Sequence, residues 1–238
     1  MRFLSRKPRP DQLHEQVEWF TADLGTGKYL DQALMDVQIV VHAASDSSNP
    51  EEVDQKGTKY LVEAARKAGV EHIIYPSIVG IDSIPMKYYQ VKREAEEIII
   101  ESGIPWSILR ATQFHSLIDH SLKFFNKIPG LMLIPKKFKF QTVDSMEVAQ
   151  RIHQCIKAGP GKRLPDFGGP EVLTLEEMVR IWQEVRNERK WLINLPIPGK
   201  TARAFRNGFN TSEDHKQGAR TWREWLTLHY AKRNRQSA

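Results

Sequence analysis

One unit occurs twice in succession along this chain: a β-rich run, a helical pattern, a glycine, and a second β-rich run. The glycines are Gly69, in Ala-Gly-Val-Glu-His, and Gly103, in Ser-Gly-Ile-Pro-Trp. Glycine enters the left-handed backbone region without steric cost, so it stops a helix where the chain must turn back into a strand. Strand, helix and strand in this order make parallel neighbours, joined by a crossover that is right-handed in about 98% of cases. The fold class is therefore α/β, with a parallel sheet and crossover helices.

Hydrophobic periodicity extends this reading. Strands are expected over Arg2 to Ser5, Val17 to Thr21, Val37 to Ala43, Glu71 to Ser77 and Pro105 to Arg110. Helices are expected from about Glu51 to Ala68 and from about Met86 to Ser102. In the first, Leu61, Ala64, Ala65 and Ala68 form one apolar stripe; in the second, Val91, Ala95, Ile98 and Ile99 do. After Gln113 the rhythm changes. Phe114 to Asn126 reads as a helix and Leu131 to Val143 as two short β-like runs. Asp144 or Ser145 caps a further helix, Thr174-Leu175-Glu176-Glu177 is a capping box, and Arg220 to Tyr230 is a last helix. The division expected is residues 1–126 as the sheet domain and 127–238 as a smaller mixed lobe.

Composition removes several classes. No apolar run approaches the roughly 20 residues of a membrane-spanning helix, and no internal repeat marks a solenoid. One cysteine, Cys155, precludes an internal disulfide and suits a reducing cytoplasm. The net charge of +6 leaves a nucleic-acid partner open in principle. The basic clusters at Arg6-Lys7-Pro8-Arg9, Lys136-Lys137-Phe138-Lys139 and Lys232-Arg233-Asn234-Arg235 come without any nucleic-acid-binding motif and read as solvated surface. Neither a nucleic-acid nor a membrane partner is expected. The histidines lack ligand spacing, so no metal site is expected either.

Tyr88-Tyr89-Gln90-Val91-Lys92 opens the second helix. Tyr88 and Lys92, four apart, lie on one helical face. An ammonium beside a phenol favours the phenolate, which suits proton transfer during hydride exchange with a nicotinamide. Ser77, at the end of the preceding strand, is placed to bond the same substrate oxygen. The candidate catalytic residues are thus Tyr88, Lys92 and Ser77, with solvated or packing roles as the plain alternatives.

Several stretches together resemble the NmrA-like atypical short-chain dehydrogenases/reductases. They are Val-Glu-Trp-Phe-Thr-Ala-Asp-Leu, Val-Val-His-Ala-Ala-Ser, Tyr-Pro-Ser-Ile-Val-Gly, Tyr-Tyr-Gln-Val-Lys-Arg-Glu-Ala-Glu and Ser-Gly-Ile-Pro-Trp-Ser-Ile-Leu-Arg-Ala-Thr-Gln-Phe. The resemblance implies a Rossmann-like, doubly wound parallel sheet that binds NAD(P), with a small mixed C-terminal lobe. It places Arg6 and Lys7 where a cation would meet a 2′-phosphate, which favours NADP(H) over NAD(H). Asp23 and Leu24 match the pair beside the adenine, Ala43, Ala44 and Ser45 a strand end flanking the cofactor, and Lys92 the nicotinamide-ribose lysine. Thr112 falls at the strand end approaching the nicotinamide, and Phe114 and His115 are substrate-pocket candidates.

The usual first strand and its Gly-x-x-Gly-x-x-Gly-like turn have no counterpart here, since the chain opens on what matches the second strand. The expectation is that they are encoded upstream, and that the chain as given binds dinucleotide poorly and is marginally stable. The leading function is an NAD(P)-dependent oxidoreductase acting on a small carbonyl or quinone-like substrate. The alternatives are a non-catalytic NAD(P)-binding sensor or assembly factor and a nucleotide-sugar epimerase-like enzyme. A homo-oligomer fits any of the three.

Overall fold

The structure is a computed structural model describing residues 1–11 and 16–236. Side chains beyond Ala231, and with them the basic tail cluster, lie outside the described residues. Two compact units emerge, interleaved along the chain: 1–76, 90–108 and 155–163 form one, and 77–89, 109–154 and 164–238 the other. The chain thus passes between the two units several times.

In the first unit, β1 (Arg2–Ser5) pairs in parallel with β2 (Glu18–Thr21). After a short helix α1 (Leu30–Ala33), a parallel sheet runs in the order β3 (Ile39–Val41), β4 (His72–Ile78), β5 (Trp106–Ala111) and β8 (Lys162–Arg163). Helix α2 (Gly57–Ala68), opened by a π-helical stretch over Glu51–Lys56, connects β3 to β4, and α3 (Lys87–Ile100) connects β4 to β5. Both crossovers expected from the repeated unit are present.

The glycine stops work as the sequence requires. Gly69 sits at φ +73° while Val70 donates its N–H to the Ala65 carbonyl at 2.9 Å, and Gly103 sits at φ +76°. The stripe on α2 faces inward: Leu61, Ala64 and Ala65 are buried with Ile73, Tyr75, Ala95, Ile99 and Ile108 in one core. Burying each large aliphatic there stabilises by roughly 1.5–3 kcal/mol.

The sheet is Rossmann-like, and among the described residues β1 and β2 form a two-stranded sheet that makes no ladder with β3. As a result β3 is an edge strand, and its Ile39 and Val41 stay exposed. A parallel sheet ordinarily covers such residues on both faces.

In the second unit, α4 (His115–Phe125), α6 (Leu175–Val185) and α8 (Trp222–Gln236) enclose a core centred on Trp182 and Trp222. Strand β6 (Leu131–Ile134) pairs in parallel with β10 (Trp191–Asn194), and β7 (Lys139–Phe140) pairs antiparallel with β9 (Leu173–Thr174). Thr174 and Glu177 close the expected capping box on α6. Asp144 accepts the Met146 N–H at 3.0 Å ahead of α5 (Ser145–Ala158). Helix α7 (Lys200–Asn207) and strands β8, β9 and β10 were not foreseen.

Candidate functional site

A buried polar cluster stands beside the carboxyl end of β3, where ligands of open parallel sheets bind. Its centre is Lys92 on α3, only 3% exposed although lysine is almost never fully buried without a partner. Lys92 Nζ lies 3.5 Å from Asp54 Oδ1 and 4.1 Å above the Tyr75 ring. Asp54 is itself fully buried, and its Oδ2 accepts the Asp46 N–H at 3.0 Å. One carboxylate therefore fixes both the ammonium and the loop that follows β3.

His42, one residue past β3, completes the cluster. Its Nε2 is 2.8 Å from Thr58 Oγ1, and the Thr58 hydroxyl donates to the Asp54 carbonyl at 2.5 Å. With that single hydroxyl proton committed, Nε2 must be the donor to Thr58, which sets the tautomer. The His42 ring also packs against Tyr75, centroids 5.2 Å apart. Burial, reinforced by the Lys92 charge, pushes His42 down to about 3, so it is neutral and Lys92 is the cation. Burial also lowers Lys92, opposed by the Asp54 carboxylate.

An ammonium has three donors. The 3.5 Å approach to Asp54 is longer than a charge-assisted hydrogen bond of about 2.7–2.9 Å, and a ring face takes no directed bond. Lys92 is thus a fixed cation with donor capacity left for an oxygen ligand. Ala43, Ala44 and Ser45 follow His42 directly and are exposed, as are Arg6 and Lys7 after β1. Asp23 instead serves its own turn: Oδ1 accepts the Gly25 N–H at 3.0 Å. The neighbouring Leu24 packs so closely on α2 that a Cβ at Gly57 would sit 2.7 Å from its Cγ.

The other candidates belong to the second unit. Ser77 is buried, and its Oγ has no hydrogen-bond partner among the described residues. Tyr88 is half-buried, packed with Tyr89, Ile81, Ile84 and Ala204. Tyr89, pushed up to about 12 by burial, accepts a hydrogen bond from Gln113 Nε2 at 3.4 Å. Thr112 Oγ1 accepts the Gly169 N–H at 3.3 Å, and Phe114 is 36% exposed.

His115 is 1% exposed and engaged at both nitrogens. Nε2 donates to the Arg220 carbonyl at 3.1 Å, and Nδ1 lies 2.8 Å from Thr142 Oγ1. Its ring is flanked by Trp222 and Trp225. Burial pushes it down to about 4. Both ring nitrogens are thus engaged within the fold.

Asp54, Thr58, His42 and Tyr75 escaped the sequence reading. Their signal is present: Asp54 and Thr58 share the helical face of Leu61 and Ala65, and His42 interrupts an apolar strand. Polar residues at core positions mark a built polar cluster.

Residues 1–157 match the family model described as NAD(P)H-binding. The chain belongs to the NAD(P)H-binding family. Over 121 residues this family member is 28% identical to the (4-alkanoyl-5-oxo-2,5-dihydrofuran-3-yl)methyl phosphate reductase of Streptomyces griseus, covering 49% of this chain and 40% of that protein. The chain spans less than half the length of the curated relatives it matches. A nucleoside-diphosphate-sugar epimerase structure from Staphylococcus aureus is similar at TM-score 0.76 and 17% identity, covering 95% of this chain and 90% of that one. The NADPH complex of a quinone oxidoreductase from Escherichia coli is similar at TM-score 0.73 and 18% identity, covering 90% and 84%. These likenesses show the fold.

Proposed function

We propose that the chain binds NADP(H) in preference to NAD(H), through its first unit, and serves an oxidoreductase acting on a small carbonyl or quinone-like substrate. The observation that carries this reading is Lys92, a buried cation held by Asp54 with donors to spare. It would hold the nicotinamide-ribose hydroxyls, while the small, exposed Ala43, Ala44 and Ser45 allow a close backbone approach. Arg6 and Lys7 would meet the 2′-phosphate. When bound, the cofactor supplies the hydride; Tyr88 would move the proton at its Oη, with Ser77 bonding the substrate oxygen. The reductase and quinone oxidoreductase among the similar proteins support the reaction class.

Lys92→Ala is expected to weaken NADPH binding at least about tenfold, as loss of charge-assisted bonds implies. Tyr88→Phe should leave affinity unchanged and remove turnover. Saturation-transfer NMR with NADPH, beside an NADPH-oxidation screen over quinones and enones, reads both quantities. Wild-type affinity in Lys92→Ala would take that residue out of the site. Packing of Tyr88 among apolar side chains favours a second reading, cofactor binding without turnover. Tight binding with no oxidation of any carbonyl or quinone would select it.

The cofactor preference has its own test. Arg6→Ala should bring NADPH affinity toward that for NADH, because a guanidinium–phosphate contact is bidentate and charge-assisted. If the unsubstituted chain binds both equally, Arg6 does not read the ribose.

A further inference from the structure

We infer that the second unit carries a docking surface for an anionic lipid bilayer, built on the outer face of β10 and β6 and the end of α4. In the parallel register Trp191 pairs with Leu131 and Ile193 with Leu133. The period of two puts these four side chains on one face, opposite Met132 and Ile134, which are fully buried. A parallel sheet is ordinarily covered on both faces. Here the outer face is open, with Trp191 83% and Ile193 45% exposed.

The apolar surface continues beyond the strands. Trp191 donates its N–H to the Gly130 carbonyl at 2.9 Å, and Lys190 Nζ bonds the Asn126 and Ile128 carbonyls. These bonds tie the turn after α4 to the start of β10, and Phe124, Phe125 and Ile128 at that turn are exposed. At the other end, Leu195 and Ile197 line a groove of about 470 Å³ flanked by Lys137 and Arg206.

Charge decides the occupant. Residues 124–140 and 189–209 together hold nine lysines and arginines and no aspartate or glutamate; beside them, Glu188 accepts from Asn126 and Glu176 pairs with Lys136. That surplus exceeds the +6 of the whole chain, so the remainder is net acidic. Lys127 Nζ sits 4.4 Å over the Phe124 ring, inside the patch itself. A second copy of this face would bring two such surpluses together, which repels. A nucleic acid would use the cations and aromatic rings but leave Ile128, Ile193, Leu195 and Ile197 in water. A bilayer with anionic headgroups uses both: cations pair with the headgroups, and Trp with aliphatics enters the interface.

That no helix among the described residues is long and apolar enough to cross a bilayer concerns insertion and leaves this surface untouched. It does revise the reading of Lys136-Lys137-Phe138-Lys139 as plain solvated surface, and with it the expectation of no membrane partner.

The test is co-sedimentation of the chain with vesicles of phosphatidylcholine, with and without about one-third phosphatidylglycerol. Binding is expected to the anionic vesicles only and to fall with added salt. The pair Lys127→Glu/Arg189→Glu should weaken it at least about tenfold, as each cation near the surface contributes substantially. The pair Trp191→Ser/Ile193→Ser should weaken it similarly while leaving the circular dichroism spectrum unchanged, since both side chains are exposed. Equal binding to neutral vesicles, no binding, or binding indifferent to both pairs would overturn the proposal. So would a dimer in analytical ultracentrifugation that Trp191→Ser/Ile193→Ser dissolves, which would give the face to a second copy.

Discussion

Replacing Asp54 with Asn should destabilise the chain by about 3–5 kcal/mol at neutral pH, the cost of leaving a buried charge without its partner. Asn keeps an acceptor for the Asp46 N–H, so the loss reports the charge and not the loop bond. Lys92 would then stay buried as an uncompensated ammonium, or give up its proton. Burial already lowers its pKa, and Asp54 is the largest influence holding it up. Without Asp54 the folded-state value falls further below the unfolded 10.5. The unfolded chain then binds more protons between those two values, so stability rises with pH. The deficit of Asp54→Asn should therefore shrink from pH 7 to pH 10. Adding Lys92→Met should recover much of it at pH 7, because an apolar side chain of similar length needs no partner. Urea unfolding of the two single variants and the double variant measures this. A double variant no more stable than Asp54→Asn would show that the pair is not coupled as described.

The fold was legible because its signals are local. Gly69 and Gly103, the apolar stripes of α2 and α3 and the Thr174 capping box each act within a few residues, and the structure shows all three kinds. What escaped depends on distant parts of the chain. Strand β8 has two residues and exists because Ser107 and Ile108 on β5 offer it an edge. Strand β10 needs Leu131 to Ile134 beside it. The site divides in the same way. Lys92 was visible from its spacing to Tyr88, but its partner Asp54 lies 38 positions earlier on another helix. The surroundings of His115 were hidden for the same reason. Its neighbours Thr142, Arg220, Trp222 and Trp225 come from segments that no local pattern connects to it.

The buried histidines His42 and His115 give the second large effect: stability should fall by about 5 kcal/mol between pH 8 and pH 4.5. His42 drops from an ordinary 6.5 to about 3, and His115 from 6.5 to about 4. In each case the folded-state value lies below the unfolded one. Between the two values the unfolded chain takes up a proton that the folded chain refuses. Stability is therefore complete above pH 6.5 and is lost as the pH falls, by up to about 1.36 kcal/mol per unit for each histidine. His72, lowered by burial beside Ser107, acts in the same direction. The paired carboxylates add nothing comparable in this window. Burial raises Asp119 and Glu188 but their hydrogen-bonded partners lower them further, and Arg180 lowers Glu176, so these contributions are lost mainly as the pH falls below about 4.5. A domain of ordinary stability, about 5–15 kcal/mol, would be close to unfolding at pH 4.5. Urea midpoints at pH 8, 6.5, 5.5 and 4.5 give the slope directly. His42→Gln retains a donor for Thr58 and cannot titrate, so it should remove about half of the roughly 5 kcal/mol that the two histidines carry, and His115→Gln the other half, leaving only the smaller part due to His72. A drop left undiminished by both substitutions would place the acid sensitivity elsewhere and contradict the neutral state assigned to His42 beside Lys92.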